Sequence, residues 1–369
     1  AGLFGTVEYH TASGVIAAAQ TTPEAVDLQR FLAELRQAGV GWAVMEVSSH
    51  GLALERVYGI PFAAAVFTNL ARDHLDFHKT FDAYFEAKQQ LFLGCGAAPP
   101  PLAVLNADEP RTEQLKPACR GKVILFGSKE KGAVVFAQEV ELAASGTRFL
   151  LQTPAGSASV VSRLVGRSNL SNLLAAAATA HGLGLPVDTI AAGLNSLQRV
   201  PGRFEQIDLG QPFTVVVDFA HTDLAFTNLL ETARALTQGR VLIVFGSGGD
   251  RDRSKRPILG EIAGRLADQV VLTTDNPRSE DPLRTIQDTV VGVEKAGGNC
   301  LIEPDREKAF EKAFALARAG DIVLLAGKGH QTTQVYRERV EPWSELEAAQ
   351  RALARLGYAS EKAAPANSR

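Results

Sequence analysis

Apolar and polar positions along the chain follow two rhythms. Short apolar runs bounded by Gly, Pro, Asn and Asp alternate with longer segments whose apolar residues recur at helical spacing. In the N-terminal half, "GWAVMEVSSH" (41–50) and "PFAAAVFTNL" (61–70) predict buried strands, and "AGLFGTVEYH" at the start is strand-like. Between Thr22 and Gly39 the pattern predicts a helix, with Pro23 in its first turn and Gly39 just past its end. A second helix is expected over "TFDAYFEAKQQLF" (80–92). "AVLNADEP" and "KVILFG" predict further strands, and the segment 132–156 an antiparallel pair turning at Ser145–Gly146. "NLSNLLAAAATAHGLG" predicts an Ala-rich helix ending at Gly182 or Gly184.

A break falls near "VPGRFEQID", where Pro201 and Gly202 interrupt the periodicity. Beyond it the rhythm is cleaner. "FTVVVDFA", "RVLIVFG", "DQVVLTT", "NCLIE" and "DIVLLAG" predict strands, with helices near 223–237, 255–267, 282–295 and 306–318. Strands apolar on both faces and separated by helices predict a doubly wound parallel sheet, whose ligands sit at the carboxyl ends of its strands. The end of the chain, 361–369, is expected to be disordered.

Composition narrows the class. The chain has 369 residues, 46% apolar and 21% charged, an ordinary globular balance with room for about two or three domains. A net charge of −3 supplies no basic field, so neither nucleic acid nor a membrane surface is expected as a partner. No window reaches the roughly 18 apolar residues of a membrane span. Cys95, Cys119 and Cys300 are far apart and form neither a zinc spacing nor a disulfide framework. With no secretion signal at its start, the chain is expected to be cytoplasmic.

Several residues stand out chemically. Lys88 lies on the same helical stripe as Phe81, Tyr84 and Phe85, either snorkelling to water or needed in a cleft. Glu46 interrupts an apparently buried strand, where a carboxylate needs a partner, a metal or local backbone donors. His74 and His78 in "DHLDFH" are four apart, yet no H-E-x-x-H pattern is present and a polar-loop role is open. "FGSGGDRDRSKRP" follows a strand and precedes a helix, the place for an anion-binding turn. A dinucleotide fingerprint would need glycine where Arg251 stands; with Arg253, Lys255 and Arg256 the turn reads instead as a binder of carboxylate or phosphate. "TTDNPRSED" ends the next strand with turn chemistry and puts Arg278 where it could grip a carboxylate. "GKGHQ" ends a third strand on the same edge, its glycines allowing close backbone approach.

Together, "MEVSSHGL", "TNLARDHLDFH", "YFEAKQQLF", "GRSNLSNLLAA", "PGRFE", "DFAHT", "GSGGDRDRSKRP", "TDNPRSEDP" and "GKGH" resemble the Mur ligase family, and within it the diaminopimelate-adding members, from about residue 2 to about residue 335. The resemblance implies an α/β chain: a P-loop-type central domain over 1–206, followed by a Rossmann-like, doubly wound amino-acid-binding domain over 207–360. It implies ATP-dependent addition of meso-2,6-diaminopimelate to the D-Glu side-chain carboxylate of UDP-MurNAc-L-Ala-D-Glu, through an acyl phosphate, by a monomer using Mg²⁺. Glu46, His74 and a carbamylated Lys88 match the family's catalytic metal ligands. Thr21, Thr22, Ser48 and Arg56 match contacts to the UDP-linked dipeptide. Asn169, Asn172, Arg203, Asp218, His221, Asn228 and Lys255 lie in motifs associated with the nucleotide. Arg251, Asp275, Asn276, Pro277, Arg278, Gly327 and Gln331 match the diaminopimelate pocket, where Arg278 would pair with the distal carboxylate that lysine lacks.

Three departures qualify these expectations. Gln331 stands where the family has Glu, and can accept a hydrogen bond but carries no charge. "VEPWSELEAA" diverges from the family's ending, so no site is expected there. No G-x-x-x-x-G-K-[ST] phosphate loop occurs, so the chain is expected to be a truncated ligase, inactive as it stands. The lysine-adding and folylpolyglutamate-forming ligases share the scaffold and remain alternatives. An NAD-linked oxidoreductase is disfavoured by Arg251, and a decayed, non-catalytic binder by the presence of Glu46, His74, Lys88 and Arg278.

Overall fold

A computed structural model describes residues 1–128, 130 and 132–358. The expected disorder of 361–369 lies outside them. The chain starts in a four-stranded sheet of order β3-β2-β1-β4, made of β1 (Gly2–Phe4), β2 (Glu8–Thr11), β3 (Gly14–Ala17) and β4 (Ala43–Met45). Helix α1 (Ala25–Gln37) buries Leu28, Phe31 and Leu35 against the same core as Phe4 and Tyr9. The strand expected over 41–50 is shorter and less buried than its composition suggests. Ala43 and Val44 are exposed, because among the described residues β4 pairs only with β1.

After α2 (Ser49–Ala53), a six-stranded sheet runs in the order β10-β9-β8-β7-β6-β5. Its strands are β5 (Ala65–Phe67), β6 (Leu102–Asn106), β7 (Lys122–Gly127), β8 (Val135–Ala143), β9 (Gly146–Thr153) and β10 (Gly156–Ser162). The pairs from β5 to β8 are parallel, and β8, β9 and β10 form an antiparallel meander. Between β5 and β6 lie α3 (Leu75–His78) and α4 (Phe81–Leu93). Thr80 starts α4 by accepting a hydrogen bond from the Ala83 amide, and Gly94 ends it in a left-handed conformation. Tyr84, Phe85, Leu91 and Phe92 form its buried face. Past α5 (Thr112–Leu115), α6 (Arg167–Gly182) and α7 (Val187–Ser196) cover the core shared by β6 to β10.

The C-terminal sheet has the order β11-β12-β16-β13-β14-β15. It comprises β11 (Glu205–Ile207), β12 (Thr214–Asp218), β13 (Val241–Phe245), β14 (Gln269–Leu272), β15 (Cys300–Ile302) and β16 (Ile322–Ala326), all parallel save β11. Glu205 and Gln206 already pair with Val217 and Val216, so β11 straddles positions 206 and 207. Alternate residues feed two cores. Val216, Ile243, Phe245 and Leu324 meet α8 (Asp223–Leu236), α9 (Lys255–Leu266) and α10 (Pro282–Lys295) on one face. Val215, Val217, Leu242, Val244, Val323 and Leu325 meet α11 (Arg306–Leu316) and α12 (Glu345–Arg355) on the other. Each such side chain contributes about 1.5–3 kcal/mol when fully buried, which explains why these strands are apolar throughout.

The doubly wound layout creates the site. β16 inserts between β12 and β13, so helices leave toward opposite faces around its carboxyl end and open a crevice there. The loops after β12, β13, β14 and β16 border this edge, together with the small ribbon β17 (Thr333–Val335) and β18 (Val340–Pro342).

Candidate active site

The loop before α3 and the middle of α4 form one half of the site. His74 sits in the left-handed region, at φ 56° and ψ 24°, a conformation that histidine adopts more readily than most residues. Its ring meets His50 at 4.8 Å and Tyr84 at 5.8 Å between centroids. Burial holds its pKa below the usual histidine value; Asp73 opposes this, while His50, His221 and Lys88 reinforce it. His74 is therefore a neutral imidazole at neutral pH. Lys88 is half-buried on α4, with Nζ 5.3 Å from the Tyr84 ring centroid. Burial lowers its pKa against the pull of Asp73, and its ammonium has no ion-pair or hydrogen-bond partner among the described residues. Such burial favours the neutral amine, the form in which a lysine attacks an electrophile such as CO₂.

Asp73 is the hub, a residue that the sequence pattern does not single out. Lys255 Nζ lies 2.9 Å from one of its oxygens; His221 Nε2 at 3.3 Å and His74 Nε2 at 3.6 Å approach the other. Burial alone would raise its pKa, but these partners win and hold it far below the usual carboxylate range. Its neighbour Asp76 lies 3.8 Å from Arg251, and Arg72 reaches Ser254 at 2.8 Å. The loop 72–76 is thus tied ionically to the loop after β13. His78 turns away, donating to or accepting from Ser49 Oγ at 2.9 Å inside a buried contact, consistent with a loop-shaping role.

Glu46 follows β4 and is exposed rather than buried. Its carboxylate accepts from Thr6 Oγ1, and its field reaches His330. Among the described residues no group of three or more His, Cys, Asp or Glu is arranged to hold a metal. Glu46 and His74 offer two donors. A third oxygen donor would appear only once Lys88 carries a carboxylate, so the donor types suit a hard divalent cation only in the carbamylated form.

Beside Glu46, Thr22 links two segments. Its Oγ1 donates to the Glu46 carbonyl at 2.9 Å and accepts from the Ser48 amide at 2.9 Å. Thr21 Oγ1 lies 3.1 Å from Thr6 Oγ1. Arg56 bonds the Thr22 carbonyl at 3.2 Å and Glu24 at 2.9 Å, while its buried Nε has no partner among the described residues. Thr21, Thr22, Ser48 and Arg56 therefore form one patch.

The residues associated with the nucleotide are less uniform. Asn169 is buried and donates to the Val165 carbonyl, whereas Asn172 is exposed. The Asp218 carboxylate accepts from the amides of Phe204 and Ala220 at 2.7 Å each, which holds the loop after Gly202 against the end of β12. Burial nonetheless raises its pKa. Arg203 is exposed and stacks 4.9 Å above the Phe219 ring, and Asn228 is half-buried on α8.

The C-terminal edge is interlocked. Of the cations in "GSGGDRDRSKRP", Arg256 is buried between Glu280 and Asp288, both at 2.8 Å, and Arg253 meets Glu280 at 2.7 Å. The basic turn is thus mostly engaged with its own carboxylates, correcting the expectation of a free anion-binding cluster. Its glycines serve packing: a Cβ at Gly249 would lie 1.8 Å from the Pro277 carbonyl oxygen, and the Gly249 amide donates to the Asn276 carbonyl at 2.8 Å.

Arg278 differs. Its backbone is left-handed at φ 51°, and among the described residues its guanidinium donates only to the carbonyls of Gly249 at 2.7 Å and Asn276 at 3.4 Å. Burial and then Arg251 depress its pKa. This is a desolvated cation without a carboxylate partner among the described residues, the environment that favours an incoming anion. Asp275 and Asn276 are buried, and Gly327, at φ 105°, leaves room for an Asp275 oxygen 3.2 Å from where its Cβ would stand.

Sequence reasoning missed two further elements. Lys328 is fully buried, donating to Asn276 Oδ1 at 3.0 Å and the Thr333 carbonyl at 2.9 Å; flanking glycines disguise it as loop. Glu345, in a segment expected to carry no site, is buried against Arg306, which also donates to the carbonyls of Thr274 and Ala326 at the ends of β14 and β16. That pair supports the crevice from behind.

Residues 1–180 match the Mur ligase middle domain and residues 202–329 the Mur ligase glutamate ligase domain. The chain is 47% identical over 356 residues to the UDP-N-acetylmuramoyl-L-alanyl-D-glutamate–2,6-diaminopimelate ligase of Solibacter usitatus, covering 96% of this chain and 72% of that protein. It is 42% identical over 374 residues to the UDP-N-acetylmuramyl-tripeptide synthetase of Roseiflexus sp., covering 97% of this chain and 74% of that one. A solved UDP-N-acetylmuramoyl-L-alanyl-D-glutamate–2,6-diaminopimelate ligase superposes with a TM-score of 0.64 at 32% identity, over 96% of this chain and 73% of the other. With both domain matches in sequence order and this identity over nearly its whole length, the chain belongs to the Mur ligase family.

Proposed function

We propose that the protein expressed from the full gene of this chain adds meso-2,6-diaminopimelate to the D-Glu side-chain carboxylate of UDP-MurNAc-L-Ala-D-Glu, driven by ATP, as a cytoplasmic monomer. Residues 1–206 act as the central domain and 207–360 as the amino-acid domain. The observation that carries this reading is the ionic tie between the loop 72–76 and the loop after β13, led by Asp73 and Lys255 at 2.9 Å. It joins Lys88 and Arg278, neither of which has an ion-pair partner among the described residues, in one assembly.

The chemistry needs both. A carboxylate is a poor electrophile, so one D-Glu oxygen first bonds the γ-phosphorus of ATP and ADP leaves. The amine nitrogen then bonds the acyl carbon, the carbon–oxygen bond to phosphate breaks, and the amine gives up a proton. Glu46, His74 and carbamylated Lys88 would hold Mg²⁺, which supplies charge neutralisation for the crowded phosphate oxygens. Thr21, Thr22, Ser48 and Arg56 orient the dipeptide. Asn169, Asn172, Arg203, Asp218, His221 and Asn228 serve the nucleotide side, and Lys255 acts through Asp73. Arg278, flanked by Arg251, takes the distal carboxylate of the amino acid; Asp275, Asn276, Pro277, Gly327 and Gln331 complete that pocket. Lysine has no group for Arg278, which favours diaminopimelate over the lysine-adding alternative.

The test is product formation by protein expressed from its full gene. With ATP, Mg²⁺ and the UDP-linked dipeptide, mass spectrometry should show the diaminopimelate tripeptide and an equal amount of ADP. Preference for lysine, or ADP release indifferent to the amino acid, refutes the proposal.

A further inference from the structure

The amide of Gln331 has only one possible orientation, and it faces the opposite way from what a charge-free acceptor would need. The constraint starts at Asn276. Two groups approach the same side-chain atom of Asn276: Lys328 Nζ at 3.0 Å and the Val335 backbone amide at 2.9 Å. A backbone N–H has no lone pair to offer, so the atom it meets must be the oxygen, Oδ1. The other terminal atom of Asn276 is then its NH₂, a donor. It lies 3.0 Å from Gln331, so the Gln331 atom it meets must be Oε1. Gln331 is left with its NH₂ free, and among the described residues that group donates to nothing. The residue is half-buried, so the donor remains reachable by a ligand. The Val335 amide, which can only donate, fixes both side chains in this orientation.

We infer that position 331 reads a hydrogen-bond acceptor on the incoming amino acid, and that its side chain does not read a distal ammonium. The inference rests on the ligase reading above and deepens it. It names the substrate class as 2-amino dicarboxylic acids, selected through the distal carboxylate, with the distal amine dispensable. Lys328 and Val335 are positioning groups: they touch no substrate but hold Asn276, and through it Gln331, in one orientation.

Three amino acids separate the possibilities. Meso-diaminopimelate carries both distal groups, 2-aminopimelate only the carboxylate, and lysine only the amine. Each is assayed for kcat and KM with the protein from its full gene. For the unaltered protein, 2-aminopimelate should fall within about tenfold of diaminopimelate in kcat/KM, since no charge-assisted bond to the distal amine is lost. Gln331→Glu places an anionic oxygen in the pocket while keeping the acceptor for Asn276. It should widen the preference for diaminopimelate over 2-aminopimelate by about tenfold or more, through KM rather than kcat, with the KM for ATP unmoved. Asn276→Asp gives Gln331 an acceptor to donate to, turns its oxygen outward and should move the ratio in the same direction. Rejection of 2-aminopimelate by the unaltered protein beyond tenfold, or a ratio unmoved by Gln331→Glu, overturns the inference while leaving the ligase reading intact. Absence of any tripeptide, with any amino acid, defeats the ligase reading itself.

Discussion

The two halves of the site handle charge in opposite ways. Around α4, Lys88 and His74 are desolvated and left without strong partners, while Asp73 beside them gathers Lys255 and the His221 and His74 rings. At the carboxyl edge of the C-terminal sheet almost every charge is matched: Arg253 and Arg256 with Glu280, Arg306 with Glu345, Lys328 with Asn276 and Asp275. Arg278 is the exception. The difference separates a place built for reaction from a place built for recognition. Reaction needs groups whose proton affinity is disturbed by their surroundings. Recognition needs a rigid frame with one unmatched charge, because a frame held by its own bonds does not reorganise when the ligand arrives. Each half also holds its key residue, His74 or Arg278, in a left-handed backbone conformation. Such conformations persist only where the surroundings enforce them.

The comparison is open to breaking at several points. The largest effect is expected at Lys88. Lys88→Ala should lower kcat for tripeptide formation by roughly 10³-fold while leaving the melting temperature unchanged, since no partner is stranded. A large loss of stability instead would make Lys88 a packing residue. Arg256→Met should do the reverse: it removes the buried guanidinium that bridges Glu280 and Asp288 and should destabilise the fold by about 3 kcal/mol in chemical denaturation. Arg278→Ala should raise KM for diaminopimelate by roughly 10²-fold with KM for ATP unchanged. Equal changes in both would mean that Arg278 props the loop rather than grips the substrate.

The smallest effect concerns pH. Burial, against the pull of Asp275, depresses the Lys328 pKa from 10.5 to about 8. Between those values the unfolded chain binds more protons than the folded one, so the contribution of this group to stability rises with pH across that window. Below pH 8 the folded protein carries the full burden of a buried cation. Relative to Lys328→Met, the unaltered protein should therefore gain stability from pH 8 to 10.5, by an amount on the order of 3 kcal/mol at most. A flat difference would mean that Lys328 is less desolvated than its surroundings imply.

The C-terminal half was legible in sequence because its strands are apolar on both faces, as in "TVVVD", "VLIVF" and "IVLLA", and few other arrangements bury such runs. The frame around them was not. Arg256 and Lys328 look like solvated loop cations until the carboxylates and amides that cover them, tens of residues away, are brought near. β4 misled for the opposite reason: Ala43, Val44 and Met45 are apolar, but burial depends on neighbours that the strand itself cannot announce. Lys88 and Arg278 were legible as oddities, one on an apolar helical stripe and one at a strand end. Asp73 was not, because a second aspartate in a polar loop carries no local signal of the lysine and two histidines that converge on it. Gln331 was recognised as neutral, but only its contact with Asn276 reveals which end of its amide is left over.

The central claim is that ligation passes through phosphorylation of the D-Glu side-chain carboxylate. The most direct measurement uses UDP-linked dipeptide carrying ¹⁸O in both oxygens of that carboxylate, with protein from the full gene, ATP, Mg²⁺ and meso-diaminopimelate. Bond formation between carboxylate and phosphorus predicts one ¹⁸O in each phosphate released and one retained in the new amide. Phosphate free of label, with tripeptide still formed, would contradict the account.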